Sequence, residues 1–219
     1  MNEVFHREVK KLADIYPKLV IVEGNGSLFL KGSIDLKDEQ NEIVDTYDIE
    51  IHPSPLFPYR FPYLYETGGR IPINIEWHRY EPSGICCVKI PAEEILICKE
   101  GLSLKDYIQK EVKPYFFNQT FRRLNGYFLN ERRHGVLGII DFYSEILKTK
   151  NIYIILKLLY FIRKNEEPER VALCFCGSGL KYRKCHREAF RLLVQVGQSQ
   201  INRDIFEMEK ALSLLNHTN

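Results

Sequence analysis

The stretch CFCGSGLKYRKCH, residues 174–186, constrains this chain more than any other, because it has little apolar material from which to build a core of its own. It sets Cys174, Cys176, Cys185 and His186 in the pattern C-x-C-x8-C-H. Thiolates and an imidazole at that spacing can close tetrahedrally on one Zn²⁺. The Gly177-Ser178-Gly179 turn lets the backbone double back, so that both ligand pairs face a single ion. With four protein ligands the site would be closed and structural, and binding would contribute roughly 10–16 kcal/mol to local folding. Without a metal the same residues are three buried cysteines and a surface histidine, an arrangement costly to keep reduced. Lys181, Arg183, Lys184 and Arg187 make the cluster basic on its surface, which describes a solvated face before it describes a docking site for an acidic protein or nucleic acid.

Elsewhere the composition is that of an ordinary globular chain: 219 residues, 45% hydrophobic and 27% charged, with a formal net charge of +2. That is enough for one medium domain plus an appendage. So balanced a charge gives no reason to expect nucleic acid as a general partner. The opening MNEVFHREVKKLADIYP spreads its charges throughout and lacks the apolar centre of a signal peptide. The most apolar run, NIYIILKLLYFI at 151–162, is too short to span a bilayer and carries Lys157 midway, so it reads as a buried helix. The expectation is a cytoplasmic protein with no membrane partner, whose six cysteines stay reduced and serve packing, catalysis or metal binding.

Hydrophobic spacing predicts the elements. Phe5, Val9, Leu12 and Tyr16 mark one face of a helix over 2–16 that Pro17 ends. Leu28, Leu30, Ile34 and Leu36 share one parity, and Tyr47, Ile49 and Ile51 another, with KDEQNE as the turn between two antiparallel strands. Pro53, Pro55, Pro58 and Pro62 exclude a helix or a central strand from 52–66 and leave a stiff extended segment. Residues 102–112 read as a helix capped by Ser103, and Ile139, Phe142, Tyr143, Ile146 and Leu147 as one face of another. RKNEEPER, residues 163–170, reads as a linker. Beyond the metal cluster, Val194, Ile201, Ile205, Met208, Leu212 and Leu215 form a narrow apolar seam suited to packing on a neighbour. The expected class is α+β, with a domain over 1–150 and a helical extension over 151–219 that holds the zinc knuckle at 170–187.

Two adjacent cysteines raise the question of reactivity. If ICCVKI is extended, Cys86, Val88 and Ile90 share one side, and Ile85, Cys87 and Lys89 the other. The wholly apolar first set suits the core, so parity buries Cys86 and leaves Cys87 at the surface. A surface cysteine that ligates nothing is a candidate nucleophile. Cys98, within EEILICKE, reads as packing.

Two resemblances follow from these residues. The cluster at 174–186 resembles the SEC-C zinc motif found at the C-terminus of the preprotein translocase ATPase and as an appendage on many bacterial proteins. Residues 1–150 resemble the ubiquitin-conjugating (UBC-like, E2-like) enzymes. FPYRFP (57–62) stands for their Tyr-Pro-Phe-x-x-Pro, HRY (78–80) for their His-Pro-Asn turn, and GICCVKI (84–90) for their Gly-x-x-Cys and alternating aliphatics. Gly84 plus three is Cys87, the cysteine that parity selects. The His-to-Cys interval is one residue short, and the family's Asn, the expected oxyanion donor, is absent; Tyr80, Arg79 or His78 are the side chains that could replace it. In the family the His holds the turn, and that role is carried to His78. The turn without Asn is similar to the divergent bacterial branch in short type II CBASS antiphage operons. ERRHGVLGIIDFY (131–143) also looks like that branch, although His134 reads equally well as an exposed residue at a helix start.

The resemblance implies an acyl transferase whose Cys87 takes a protein's C-terminal glycyl group as a thioester, with His78 and Tyr80 beside it. The expected partner is the C-terminal tail of a cyclic-nucleotide synthase, a cGAS/DncV-like nucleotidyltransferase. The chain has no Gly-rich phosphate loop, so the acyl donor must arrive activated, and the only cofactor expected is structural Zn²⁺. The competing readings are an inactive UBC-like binding or adaptor module, and an adaptor whose function lies in 170–219.

Overall fold

The computed structural model describes residues 3–12, 14–24, 26–129 and 132–217, the last three through their backbone alone. The chain divides into two compact units, Met1–Lys89 with Ile97–Glu131, and Ile90–Leu96 with Arg132–Asn219.

In the first unit, helix α1 (Glu3–Lys10) buries Phe5 and Val9 against the sheet. It ends earlier than its apolar spacing predicts. The amides of Lys11 and Leu12 reach back only three residues, a tightened last turn that brings Leu12 inward and swings the chain toward the sheet. Strands β1 (Leu19–Gly24), β2 (Ser27–Lys37), β3 (Ile43–His52) and β4 (Tyr63–Glu66) form an antiparallel meander in the order β1-β2-β3-β4. The predicted alternation is what the sheet buries: Leu30, Ile34 and Leu36 from β2, and Tyr47, Ile49 and Ile51 from β3. Gly32 is required in β2, since with φ of +146° a Cβ would lie 1.9 Å from the Lys18 carbonyl oxygen. β4 begins just after Pro62 and lies at the sheet's edge, in keeping with the proline argument against a central strand.

Helix α2 (Pro91–Cys98) follows, with Cys98 fully buried as a small hydrophobe. Ser103 caps α3 (Leu104–Tyr107), accepting from the Asp106 amide at 3.0 Å. The helix continues through a π turn over Ile108–Val112 into α4 (Lys113–Asn125). The wider turn absorbs Pro114, which has no N–H to return to the preceding turn. Gly126, at φ 83°, ends α4. Asp45 pins α4 to β3 through Thr120 Oγ1 (2.7 Å) and Arg123 Nη1 (2.9 Å), and takes Arg70 Nη1 at 2.6 Å.

The second unit is helical. Its core gathers α5 (Gly135–Leu147), α6 (Ile152–Ile162, capped by Asn151), α7 (Arg187–Leu193) and α8 (Gln198–His217). Helices α5 and α6 share this core. The seam on α8 packs on α5 and α6 of its own unit through Ile201, Ile205 and Met208; the Leu215 side chain lies outside the described residues. One carboxylate enters this core: Asp204 accepts from Tyr143 Oη and Gln200 Nε2, both at 2.7 Å. Among the described residues no helix is long and apolar enough to cross a membrane.

Candidate active site and metal centre

Cys87 lies on a small irregular ladder built against β4. Cys86 N–H donates to the Leu64 carbonyl at 2.8 Å, and Arg79 bridges Cys86 in antiparallel fashion. Between them the chain reverses: Tyr80 N–H donates to Ile85 O (2.9 Å) and Gly84 N–H to Tyr80 O (2.7 Å). Gly84 takes φ of +72°, and a Cβ there would meet Arg79 Nη2 at 3.2 Å. Opposite residues of a ladder share a face, so burying Cys86 buries Arg79 as well, while His78, Tyr80 and Cys87 alternate to the other side. Burial agrees: Cys86 and Arg79 are 5% and 4% exposed, Cys87 is half-buried and Tyr80 is exposed.

The two thiols therefore differ in chemistry. Burial pushes the Cys86 thiol up to about 12, which keeps it protonated and inert. Cys87 Sγ lies 3.1 Å from Tyr80 Oη, with the thiol donating. The sequence left three side chains open as replacements for the missing Asn, and the geometry separates them. Arg79 is committed to the protein: it donates to Glu66 Oε2 (3.1 Å), Ile71 O (2.6 Å), Glu66 O (2.9 Å) and Gly84 O (3.2 Å). His78 meets Cys87 through its backbone, its carbonyl accepting from Cys87 N–H at 2.7 Å, while its ring packs edge-on to Phe128. Tyr80 brings a hydroxyl to the sulfur itself.

The turn before the ladder is fixed from two sides. Asn74 Oδ1 caps the 3-10 turn Ile75–Trp77 by accepting from Trp77 N–H at 3.1 Å, and His78 closes it with φ of 52°. From α4, Tyr115 Oη donates to His78 O (3.0 Å), Gln119 Nε2 to Trp77 O (2.9 Å), and Arg122 Nη1 to Glu76 O. Sequence reasoning missed Glu66 and these three helix residues. Their spacing of four and three marks a shared helix face, but no pattern in the sequence says that the face meets a backbone turn. His134 stands at the N-cap of α5 and is half-buried, a correction to its expected exposure.

In the second unit the four predicted ligands converge. Cys174 Sγ, Cys176 Sγ, Cys185 Sγ and a His186 ring nitrogen all lie within 4.8 Å of one another. Metal–sulfur bonds of about 2.3 Å and metal–nitrogen bonds of about 2.0 Å, set tetrahedrally, require S···S of ~3.8 Å and S···N of ~3.5 Å. The separations are 3.6 Å for Cys176–Cys185, and 3.4 and 3.1 Å from His186 Nδ1 to Cys174 and Cys185. His186 Nε2 sits 3.1 Å from the Leu147 carbonyl, so the proton belongs on Nε2 and the Nδ1 lone pair faces the thiols. Burial pushes the Cys174 thiol up to about 11. It acts the same way on Cys176, where hydrogen bonds from Ser178 outweigh it and bring that thiol down to about 6. The donor set fits, and these residues could hold a metal ion such as zinc. An aromatic cluster backs the site, with Phe175 stacked on Phe161 at 4.3 Å and Tyr182 fully buried.

The SEC-C motif model matches residues 172–188, which span all four of these side chains. No curated protein and no solved structure matches the chain.

Proposed function

We propose that the chain is a ubiquitin-conjugating-like acyl transferase in which Cys87 carries the C-terminal glycyl group of a protein as a thioester. The observation that supports this reading best is the division between the adjacent cysteines: one sulfur is buried and held protonated, and the other is half-exposed 3.1 Å from a hydroxyl. The position of Cys87 three residues after Gly84, following HRY and FPYRFP, supports the family assignment. By the same resemblance the partner is the tail of a cyclic-nucleotide synthase in an antiviral CBASS operon, and the protein works in the cytoplasm.

In the first half-reaction the Cys87 thiolate attacks the carbonyl of an activated acyl donor, an acyl adenylate or a thioester made by another protein. The S–C bond forms, the bond to AMP or to the donor thiol breaks, and the thiol proton passes to solvent. In the second, a lysine amine attacks the thioester carbonyl; the C–N bond forms, the C–S bond breaks, and the amine gives up a proton as the Cys87 thiol is restored. Negative charge gathers on the carbonyl oxygen each time, and the Tyr80 hydroxyl is the side chain placed to donate to it. In the free protein that hydroxyl accepts from the thiol. Accepting leaves the hydroxyl its own proton to donate, and the oxyanion is the acceptor that the reaction creates beside it. A Zn²⁺ held by Cys174, Cys176, Cys185 and His186 would be structural, with all four positions taken by protein.

The test mixes the protein with a glycine-ended nucleotidyltransferase and an activated donor, and reads adducts on a non-reducing gel. A thiol-sensitive adduct that is lost in Cys87→Ser and kept in Cys86→Ser supports transfer. Binding with no adduct refutes it and leaves an adaptor module.

A further inference from the structure

Three successive carbonyls, those of Glu76, Trp77 and His78, are each held by a side chain from one face of α4: Arg122, Gln119 and Tyr115 in that order. The last of them, His78 O, is also the acceptor for Cys87 N–H. Arg122 is fixed in turn, its guanidinium lying over the rings of Trp77 at 4.2 Å and Phe128 at 4.5 Å, and Phe128 meets the His78 ring at 5.0 Å. A rigid helix thus grips the turn at three consecutive points and passes its position on to the backbone of the thiol residue.

Stability alone does not account for Gln119. It is 1% exposed, and its Oε1 is buried without a partner among the described residues. Burying an unpaired carbonyl oxygen is a cost that an aliphatic side chain of similar size would avoid. What the amide supplies is a donor aimed at Trp77 O. Tyr115 also places a phenol in a buried position, with its proton on His78 O and its hydroxyl in hydrogen-bond contact with the Cys86 thiol.

We infer that Tyr115, Gln119 and Arg122 are positioning residues for Cys87: they fix the turn so that Sγ stays within hydrogen-bond reach of the Tyr80 hydroxyl. The inference rests on the reading of Cys87 as the reactive thiol. It requires that loosening the helix face and removing the hydroxyl have the same consequence at sulfur, because both act on one contact.

The experiment uses the full-length protein and iodoacetamide, a probe that needs no acyl donor, with modification at residue 87 followed by peptide mass spectrometry across neutral to alkaline pH. Tyr80→Phe, Gln119→Leu and Tyr115→Phe are compared with wild type. In each variant the pH–rate profile is expected to move in the same direction, with the rate at neutral pH changing about fivefold, the worth of one hydrogen bond. Adding Gln119→Leu to Tyr80→Phe should move it no further. If the α4 variants lower the melting temperature and leave the profile at its wild-type position, or if their effects add to that of Tyr80→Phe, the inference is overturned. Tyr115→Phe keeps its ring packing and serves if Gln119→Leu does not fold. A profile that moves as expected in a protein that forms no adduct would retain the positioning role and discard the transferase reading.

Discussion

Replacing Arg79 by Met removes the guanidinium from under the Cys87 ladder while filling most of its volume. The Glu66 side chain it leaves behind is fully buried. Breaking a buried pair from one side costs about 3–5 kcal/mol, because the remaining charge keeps neither water nor its opposite charge. Three carbonyls, those of Glu66, Ile71 and Gly84, lose a donor as well, each worth up to ~1 kcal/mol. A loss on the order of 5 kcal/mol is comparable with the whole stability of many domains. Adding Glu66→Gln should restore about 2 kcal/mol or more. An amide carries no charge to strand, and its one oxygen can still accept from one of the two backbone amides that Glu66 serves, that of Arg70 at Oε1 or that of Ile71 at Oε2. The chain's single tryptophan, Trp77, adjoins this turn, so urea unfolding followed by its fluorescence reports on the right region. An Arg79→Met protein within ~1 kcal/mol of wild type would refute the reasoning. So would a double variant no more stable than the single one.

Asp45 should govern the acid limb of stability. Burial works against its anion, but donation from Thr120 and Arg70 outweighs that and brings the carboxyl down to about 2 from the ordinary 3.8. A depressed carboxyl stabilises the fold above its unfolded pKa and loses that contribution as pH falls through its folded value. Asp45→Asn should therefore flatten the acid limb and remove about 1–2 kcal/mol at neutral pH after allowance for screening; an unchanged pH-stability curve contradicts this. Asp204 has the opposite sign: burial raises its pKa, so its contribution is complete below the unfolded value and fades as pH rises, and Asp204→Asn should gain relative stability toward neutral pH in thermal scans. Metal analysis should find one equivalent per chain. Chelation should open the segment that carries the four side chains, seen as lost amide-exchange protection around Phe175 and Tyr182; full protection after chelation would show that the cluster folds without an ion. Gly84→Ala should cost about 1–3 kcal/mol through strain at positive φ and crowding of Arg79, measured by denaturant midpoint, and a neutral substitution would show that the turn relaxes.

Whatever depends on neighbours along the chain was legible in the amino-acid order. Period-two spacing selected the buried faces of β2 and β3, because alternate side chains of a strand must point to opposite sides. The same parity separated Cys86 from Cys87, and the four side chains that could hold a metal were legible because they are soft donors that lie within thirteen residues. Tertiary structure decided what depends on pairing across distance. Arg79 and Tyr80 are adjacent and equally plausible as donors; only the bridge from Arg79 to Cys86 sends one inward to Glu66 and leaves the other beside the sulfur. The spacing of Tyr115, Gln119 and Arg122 says that they share a helix face. That the face meets three carbonyls of a turn some forty residues away follows from how α4 packs on the sheet, a contact for which a one-dimensional pattern carries no signal.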